Sequence, residues 1–542
     1  MTLNNIVKNF PEKYEPRDAQ ADVLKQIEDA INDGNKFIII QSPTGTGKSM
    51  FSSTIANSMP EPSQTYTQLV DDFKIFDKDK YGEFIHEDTA MSQPPFGALV
   101  LTITKSLQNQ YKTLFDNVDM LKGKSNYECG IDDEYNADLA PCAVSPKLYR
   151  TCQVDGVCDH LNNRNKLIKS KFGVINYSMF LSLPNHVKQR SVIVCDEASE
   201  LEDELVGFFS VNIDYKRLSF LDIKKLTTDK QSAAHLWLND VSSKLNGYVK
   251  TQTDLMASKS LKNTPTSLFY KLKNLKNLLE KINHVIRNWN TCEYVIEIDG
   301  QGATFVPLYV DTLSDKVFKY ADTVILMSAT IIDHKTFAKT LGIKDYKYIE
   351  VESSFDPNKS PIYCPGKYKL NYKSIDINLP KVVDQAVTIC DHYNNKKGII
   401  HTHNFKITEG IKRKAKGNRY LFREAHITNE HILEEHVLRK DGTVLVSPSL
   451  SHGTDLVGEF GEFQIIMKMP YLPLGSKRVK MLFEQDKDWY QMKMLINLVQ
   501  MCGRCTRNVN DSSETFIMDG QAVATFKSNW NKLPIEFKAR LK

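Results

Sequence analysis

Short runs of apolar residues alternate along this chain with longer segments whose apolar residues recur every three or four positions. A run of four to eight apolar residues has the length of a buried strand, whereas the three-and-four spacing is that of a helix packed on one face. One group of apolar runs lies near residues 36–41, 97–103, 191–195 and 323–328, and a second group reads GIIH, TVLVS, FQIIMK and TFIMD from residue 398 onward. The alternation predicts two α/β lobes, each built on a parallel sheet.

Residues 205–300, between the third and fourth runs of the first group, have the pattern of helices. A heptad seam is formed by Leu268, Leu272, Leu275, Leu279, Ile282 and Ile286. Thr264-Pro265 before this seam suits a helix start. An earlier amphipathic helix is marked by Leu238, Val241, Leu245 and Val249. The pattern fits either a dimeric coiled coil or a helical hairpin within one chain.

Composition describes a globular protein of more than one domain. The chain has 542 residues, 41% hydrophobic and 25% charged, with a net charge of +4, so bulk charge neither requires nor excludes a nucleic acid. The N-terminus lacks the apolar core of a signal peptide, and no apolar run is long enough to span a bilayer. We therefore expect an intracellular protein, in cytoplasm or nucleoid, that is not secreted and has no membrane partner. Disulfides are not expected there.

A phosphate-binding loop is predicted at residues 37–49, which read FIIIQSPTGTGKS. An apolar strand enters a glycine-rich turn, and a helical pattern follows it, which is the order of a nucleotide-binding loop. Lys48 would reach the β- and γ-phosphates of ATP, and the Ser49 hydroxyl would bind Mg²⁺. The turn residues that would surround the phosphates are Thr44, Gly45, Thr46 and Gly47. The first position of the usual pattern is Ser42 instead of glycine.

Two further patterns supply candidate catalytic groups. The apolar run 191–195 ends in Asp196-Glu197, at the carboxyl end of a strand, where open α/β sheets bind ligands. Asp196 would hold Mg²⁺ and Glu197 would orient and deprotonate the attacking water. Near the C-terminus, QMCGRCTR places Arg504 and Arg507 three residues apart, on one face if the segment is helical. These arginines could stabilise charge on the γ-phosphate, or they could form surface ion pairs.

Four of the ten cysteines are crowded into thirty residues between these motifs. Cys129, Cys142, Cys152 and Cys158 have the spacing C-x12-C-x9-C-x5-C. Structural zinc sites usually use close C-x2–4-C pairs, and four thiolates spread over one loop suit a [4Fe–4S] cluster. Zinc and unliganded cysteines remain the alternatives. So polar a segment buries little apolar area, and metal–thiolate bonds would supply the missing stability.

Basic and aromatic residues surround the cysteines. They are Lys122, Lys124, Tyr127, Lys147, Tyr149, Arg150, Arg164, Lys166, Lys169 and Lys171. Cations that neutralise phosphates, combined with aromatic rings that stack on bases, are typical of single-strand binding. The sequence thus predicts a strand-binding surface here, with an ordinary solvated face as the alternative.

The ordered motifs resemble superfamily 2 helicases, and more narrowly the iron–sulfur helicases of the XPD/DinG type. The matching segments are YEPR followed by Gln20, SPTGTGKS, LTITKSLQNQY, LKGKSNYEC, DEAS, SATI, SSFDP, GIIHTHN, SLSHGTDLVG, FQIIMKMPYLPLGS and QMCGRCTR. Two positions depart from the family pattern: Ser199 replaces the histidine of DEAH, and His452 replaces the glutamate before the glycine of motif V.

The resemblance implies an α/β fold with two RecA-like parallel-sheet motor domains, an inserted Fe–S cluster domain and a helical arch domain, so it favours the hairpin. The implied bounds are 1–125, 159–204 and 301–335 for motor domain 1, 126–158 for the cluster domain, 205–300 for the arch and 336–542 for motor domain 2. The implied residue roles are adenine reading by Arg17 and Gln20, nucleotide binding by Gln500, γ-phosphate sensing by Arg504 and Arg507, coupling of nucleotide to strand by Gly453 and Asp455, and cluster ligation by the four cysteines.

The implied activity is that of a monomeric ATP-dependent DNA helicase. It would move 5′→3′ on single-stranded DNA and open forked or tailed duplexes, with the cluster domain as strand guide or wedge. The alternative is an ATPase switch or scaffold subunit of a repair or replication assembly that separates no strands.

Overall fold

The computed structural model describes residues 2–76, 85–140, 142, 146–258, 266–353, 355–424, 426–449, 456, 458–506 and 510–542. Its strands are β1 (Phe37–Gln41), β2 (Ala98–Thr102), β3 (Asp119–Met120), β4 (Phe172–Asn176), β5 (Arg190–Asp196), β6 (Val211–Asp214), β7 (Tyr294–Ile298), β8 (Gly302–Pro307), β9 (Ala321–Ser328), β10 (Lys347–Glu350), β11 (Ile362–Tyr363), β12 (Gly398–His401), β13 (Tyr420–Phe422), β14 (Val444–Ser447), β15 (Phe463–Ile466) and β16 (Glu514–Ile517).

The helices surround these strands. They are α1 (Asp18–Asn32), α2 (Lys48–Ser58), α3 (Gln64–Asp71), α4 (Glu87–Met91), α5 (Lys105–Leu114), α6 (Pro146–Val154), α7 (Asp159–Ile168), α8 (Tyr177–Ser182), α9 (Leu201–Phe209), α10 (Gln231–Ser258), α11 (Thr266–Asn288), α12 (Asp315–Phe318), α13 (His334–Thr340), α14 (Ile375–His392), α15 (Phe405–Lys414), α16 (Asn429–Leu438), α17 (Lys477–Gln485), α18 (Lys487–Cys502), α19 (Ala522–Ser528) and α20 (Ile535–Arg540).

Two parallel sheets confirm the predicted pair of RecA-like motor domains. The first has the order β10-β1-β9-β5-β2-β4-β3, and the second has the order β11-β16-β15-β12-β14-β13. Every residue of β2 and β5 is buried, which explains why these strands read as unbroken apolar runs rather than alternating ones. The strand order places β1, β9 and β5 side by side, so the segments that follow them meet at one edge of the first sheet.

The first motor domain extends further than the boundary at residue 335 predicts. Strand β10 pairs in parallel with β1, from Ile38 with Lys347 to Gln41 with Glu350. The second sheet begins only at Ile362. The boundary was placed too early because β10 has four residues, of which only Ile349 is buried, and carries no long apolar run.

The insertion at 205–300 is a helical hairpin standing on a small antiparallel sheet. Helices α10 and α11 run in opposite directions, because His235 stacks on Trp289 while Ser242 bonds Asn283 further along. Their facing apolar residues are buried, as the hairpin requires. The sheet β6-β8-β7, which extends to Pro307, was not predicted, so the insertion is not purely helical. The predicted start at Thr264-Pro265 lies outside the described residues.

The segment 61–95, between the phosphate loop and β2, has a buried cluster of its own. Tyr66, Val70, Ile75 and Ala90 pack with Phe96, Ile168 and Val187. The cluster joins the segment to the end of α7, the helix that follows Cys158. Among the helices of the described residues, none is both long and apolar enough to cross a membrane.

Candidate nucleotide and cysteine sites

The phosphate loop runs from the end of β1 into α2, as predicted. Gly45 and Gly47 have positive φ angles of 81° and 99°, a backbone conformation that side-chain-bearing residues adopt only at a cost. A Cβ added at Gly47 would lie 2.2 Å from the Gln20 side chain, so the position also lacks space. Thr46 is buried, and its hydroxyl donates to the Pro43 carbonyl at 2.7 Å. The turn is therefore preformed.

Lys48 and the two acidic residues meet beside this turn. The Lys48 Nζ lies 2.7 Å from Glu197 Oε1, although the two residues are far apart in sequence. Asp196 is 4% exposed. Burial, followed by the charge of Glu197, raises the pKa of Asp196 to about 6, while Lys48 and Tyr111 oppose that rise. A cation in this place would favour the ionised carboxylate, which is what a Mg²⁺ ligand requires.

Glu197 is held in a left-handed backbone conformation, with φ 51° and ψ 49°. This region costs a residue with a side chain of the order of 1–2 kcal/mol. Three contacts hold it there: its amide donates to Asp196 Oδ1 at 3.0 Å, Ser328 Oγ donates to its Oε2 at 3.1 Å, and Lys48 binds its Oε1. These contacts thus fix the orientation of the Glu197 carboxylate.

A chain of hydroxyl groups connects Glu197 to the second motor domain. Ser328 Oγ lies 2.9 Å from Ser199 Oγ. Gln500 Nε2, on α18 of the second domain, lies 3.5 Å from Ser199 Oγ, 3.3 Å from Glu200 Oε1 and 3.2 Å from Thr330 Oγ1. Ser199, which replaces the family's histidine, therefore still takes part in a connection between the two domains.

Arg17 and Gln20 contact the loop backbone. The Arg17 guanidinium donates to the carbonyls of Gly45 and Thr46 at 2.9 and 3.0 Å, and Gln20 Nε2 donates to the Thr46 carbonyl at 2.9 Å. Arg17 also begins α1, where its amide bonds Gln20 Oε1. The two residues thus fix the shape of the loop, and their reading of adenine stays a prediction.

The other predicted residues lie further along or outside the described part. Helix α18 ends at Cys502, so Arg504 lies buried in the turn beyond it. Burial, followed by the charges of His403 and Arg504, lowers the pKa of His401 to about 3. The helical spacing considered for the two arginines does not extend to Arg504. Arg507, Gly453 and Asp455 lie outside the described residues.

Tyr111 is a site residue that the sequence did not single out. It is 1% exposed, and its hydroxyl donates to Asp196 Oδ2 at 3.0 Å. It also lies 3.1 Å from Ser52 Oγ and beside the side chain of Ser49. Its place in LTITKSLQNQY, one helical position among several polar ones, gives no sign of these contacts.

The four cysteines converge, although they are spread over thirty residues: Cys152 lies in α6, and Cys158 directly precedes α7. Burial, followed by the charges of Cys152 and Cys129, raises the pKa of Cys142 to about 12, with Cys158 adding to the rise. Cys142 and Cys152 also hydrogen-bond each other. Gly130, beside Cys129, lies so close to Val157, beside Cys158, that an added Cβ would be 1.8 Å from the Val157 carbonyl oxygen. The two ends of the segment are thus in contact.

Which metal group these thiols would hold stays a prediction. Among the residues that the structure describes, no group of three or more His, Cys, Asp or Glu side chains could hold one metal ion. A [4Fe–4S] cluster takes one thiolate on each of four iron atoms, so its ligands stand further apart than those of one tetrahedral zinc. The four thiols are near enough to influence each other's pKa, and the [4Fe–4S] cluster remains the group that the spacing and the resemblance predict.

The predicted strand-binding surface is smaller than the sequence suggested. Arg164 is buried, with its guanidinium 3.6 Å from the centre of the Phe76 ring and 2.9 Å from the Tyr149 hydroxyl. Lys169 pairs with Asp71, and Lys171 pairs with Glu61. The hydroxyl of Tyr127 accepts from the Lys122 amide. These groups serve the packing of the domain, whereas Lys124, Arg150 and Lys166 remain exposed.

Two family models match the sequence. The model of a helicase C-terminal domain matches residues 388–539, and that of the type III restriction enzyme res subunit matches residues 13–215. No curated protein gave a significant sequence match.

Solved structures match over almost the whole chain. One titled XPD helicase has a TM-score of 0.62 at 14% identity, covering 97% of this chain and 99% of its own. An apo XPD structure has a TM-score of 0.57 at 14% identity, with 94% and 98% covered. Xpd4 of S. tokodaii has a TM-score of 0.50 at 15% identity, with 94% and 97% covered. These matches confirm the expected XPD-type fold, with the two domains of an ATP-dependent helicase.

Proposed function

Because the chain has the fold of the XPD helicases and both domains of an ATP-dependent helicase, we propose that it is an ATP-driven DNA helicase with a [4Fe–4S] domain. In this proposal it travels 5′→3′ on single-stranded DNA and opens forked or tailed duplexes as a monomer. The direction, the choice of DNA and the role of the cysteine segment come from the resemblance.

The observation that carries the proposal is the position of Gln500. Its side chain, on the second motor domain, bonds three groups of the first domain that lie next to the phosphate loop and the acidic pair. Had these motifs been on remote surfaces, hydrolysis at one could not alter the position of the other. A nucleotide in this cleft would instead be enclosed by both domains.

The roles of the chain's own residues follow from their places. The loop amides and Lys48 bind the phosphates, and Lys48 exchanges its contact with Glu197 for the phosphate charge. Ser49 and Asp196 would hold Mg²⁺, which neutralises charge on the phosphates when bound. Glu197, then released from Lys48, is placed to orient a water molecule and accept its proton. Arg504 and Arg507 are assigned the γ-phosphate by the family motif.

Cys129, Cys142, Cys152 and Cys158 would hold the cluster, whose contribution is structural: it fixes an otherwise weakly packed segment. This segment touches the arch, because Asp138 pairs with Lys273 and Tyr135 meets Phe269 edge-on, with ring centres 6.1 Å apart. A rigid segment braced in this way could guide or divide the strands. Lys124 and Arg150 supply exposed positive charge beside it.

Two measurements test the proposal. Purified protein should hydrolyse ATP faster with single-stranded DNA and displace a strand from a 5′-tailed fork, and a matched 3′-tailed substrate controls for direction. Protein purified without oxygen should absorb broadly in the visible range and contain iron and sulfide. The variant Cys142→Ser should contain no iron and displace no strand, while it should still bind nucleotide. ATP hydrolysis with no displacement on any fork would favour the switch or scaffold alternative.

A further inference from the structure

Tyr111 lies in the core of the first motor domain, yet its hydroxyl reaches the nucleotide site. The ring is held in an aromatic group, with its centre 6.2 Å from that of Phe115 and 6.4 Å from that of Phe172. A phenylalanine would fill this space equally well. A buried hydroxyl is costly unless it is hydrogen-bonded, so the contacts of this one call for a role.

Those contacts join the two groups assigned to Mg²⁺. The Tyr111 hydroxyl donates to Asp196 Oδ2 at 3.0 Å, and the side chain of Ser49 lies beside it. Ser52 Oγ, one turn along the same helix as Ser49, lies 3.1 Å from it. Tyr111 therefore bridges the end of β5 to the start of α2, and these are the elements that deliver the carboxylate and the hydroxyl.

The bond pattern on Asp196 leaves room for a metal. One carboxylate oxygen accepts from Tyr111 and the other accepts from the Glu197 amide at 3.0 Å. Each oxygen has two lone pairs, so each keeps one for a cation or for a water bound to it. The two hydrogen bonds fix the plane of the carboxylate, as the partners of metal ligands do elsewhere.

We propose that Tyr111 is a positioning residue for Mg²⁺: it orients Asp196 and Ser49 so that the ion of Mg·ATP meets both ligands without rearrangement. The proposal rests on the proposed function, since it assumes a Mg²⁺-nucleotide in this cleft. Tyr111 itself touches neither substrate nor ion. Its loss therefore weakens metal binding while leaving the phosphate loop intact.

The chain offers a matched control in Tyr177. This tyrosine is also fully buried, and its hydroxyl donates to Asp196 at a similar distance, 3.1 Å, but to the backbone carbonyl. Tyr177→Phe thus also removes a tyrosine hydroxyl that is hydrogen-bonded to Asp196, but it leaves the hydrogen bonds of the Asp196 carboxylate in place. Any general effect of losing a buried hydroxyl at the end of β5 will appear in both variants.

The test measures Mn²⁺ binding by electron paramagnetic resonance with the non-hydrolysable nucleotide AMP-PNP, and AMP-PNP binding alone in EDTA. Tyr111→Phe is expected to weaken Mn²⁺ binding about 10–100-fold, with AMP-PNP binding in EDTA unchanged. Tyr177→Phe is expected to bind Mn²⁺ as the wild type does. The Mg²⁺ concentration needed for half-maximal ATPase should rise in parallel in Tyr111→Phe.

Equal Mn²⁺ affinity in wild type and Tyr111→Phe would overturn the proposal, as would an equal loss in both tyrosine variants. If Tyr111→Phe does not fold, Ser52→Ala, which removes a partner of the Tyr111 hydroxyl together with a 3.3 Å hydrogen bond to the Lys48 carbonyl, is expected to weaken Mn²⁺ binding with AMP-PNP binding in EDTA unchanged. Unchanged Mn²⁺ affinity would overturn the proposal. Wild-type protein that binds no AMP-PNP would refute the proposed function itself.

Discussion

The charge of Glu202 should contribute far more to the stability of the folded protein than the charge of its neighbour Asp203. Glu202 lies on α9 just after the acidic pair, with its side chain 6% exposed, and three residues of the second motor domain surround it. Arg478 lies at 2.6 Å, the indole of Trp489 donates to both carboxylate oxygens at 2.9 and 3.0 Å, and Lys493 lies at 3.5 Å. This network joins the two domains out of contact with water.

The expected magnitude follows from burial and from the partners that remain. Removing one member of a buried ion pair typically costs about 3–5 kcal/mol, because the other charge stays buried. In Glu202→Gln, Lys493 still pairs with Asp203 at 2.6 Å, whereas the charge of Arg478 is left unpaired. We therefore expect the free energy of unfolding to fall by about 3 kcal/mol. Asp203 has a side chain 52% exposed, so Asp203→Asn should cost at most about 1 kcal/mol.

Urea unfolding followed by tryptophan fluorescence measures this difference, since Trp489 is a member of the network. About 3 kcal/mol corresponds to more than a hundredfold change in the equilibrium constant of the transition that separates the domains. If Glu202→Gln moves the urea midpoint no further than Asp203→Asn does, at the same slope, the reasoning is refuted. The double variant with Arg478→Met should lose less than the sum of the single variants, because it leaves no unpaired guanidinium.

Three further outcomes are expected. Glu197→Gln should bind nucleotide as the wild type does but lower ATP turnover at least about 100-fold, because a positioned general base typically contributes that much to the rate. Single-turnover phosphate release measures the loss, and near-normal turnover would show that Glu197 is not the base. Gly130→Ala should lower the iron content per chain, because its methyl group has no space beside Val157; iron equal to wild type would show that the two ends of the segment need not meet. Burial raises the pKa of Glu536 to about 7 from its ordinary 4.5, so the folded state binds the extra proton and stability should fall as pH rises from 4.5 to 7. Thermal midpoints across that range should fall less in Glu536→Gln, and parallel curves would contradict the assignment.

The sequence predicted those parts of the molecule in which local pattern and chemistry coincide. The strand before Lys48 and the strand before Asp196 are buried on both faces, so their apolar runs were visible, and the motifs that follow them have fixed spacing. Gln500 was placed at the nucleotide site by its motif, and the structure puts it against the first domain.

What the sequence missed depends on contacts between distant residues. Strand β10 is short and lies at a sheet edge, so nothing in its residues shows that it belongs with β1. Tyr111 meets Asp196 only after β2 and β5 have paired. Arg164 resembled a phosphate ligand, because a basic residue in a sequence does not reveal that Phe76 and Tyr149 will enclose it.

The left-handed turn at Glu197 has a consequence for timing. Glu197 stays in its unfavourable backbone conformation because three contacts hold it there, and one of those contacts is the ion pair with Lys48. An arriving triphosphate competes for the Lys48 ammonium group, so the contact between Lys48 and Glu197 is weakened only when a nucleotide occupies the cleft. The carboxylate that accepts the proton of the attacking water would then be the part of the site most ready to shift, and the hydrogen-bonded chain through Ser328, Ser199 and Gln500 would transmit that shift to the second motor domain.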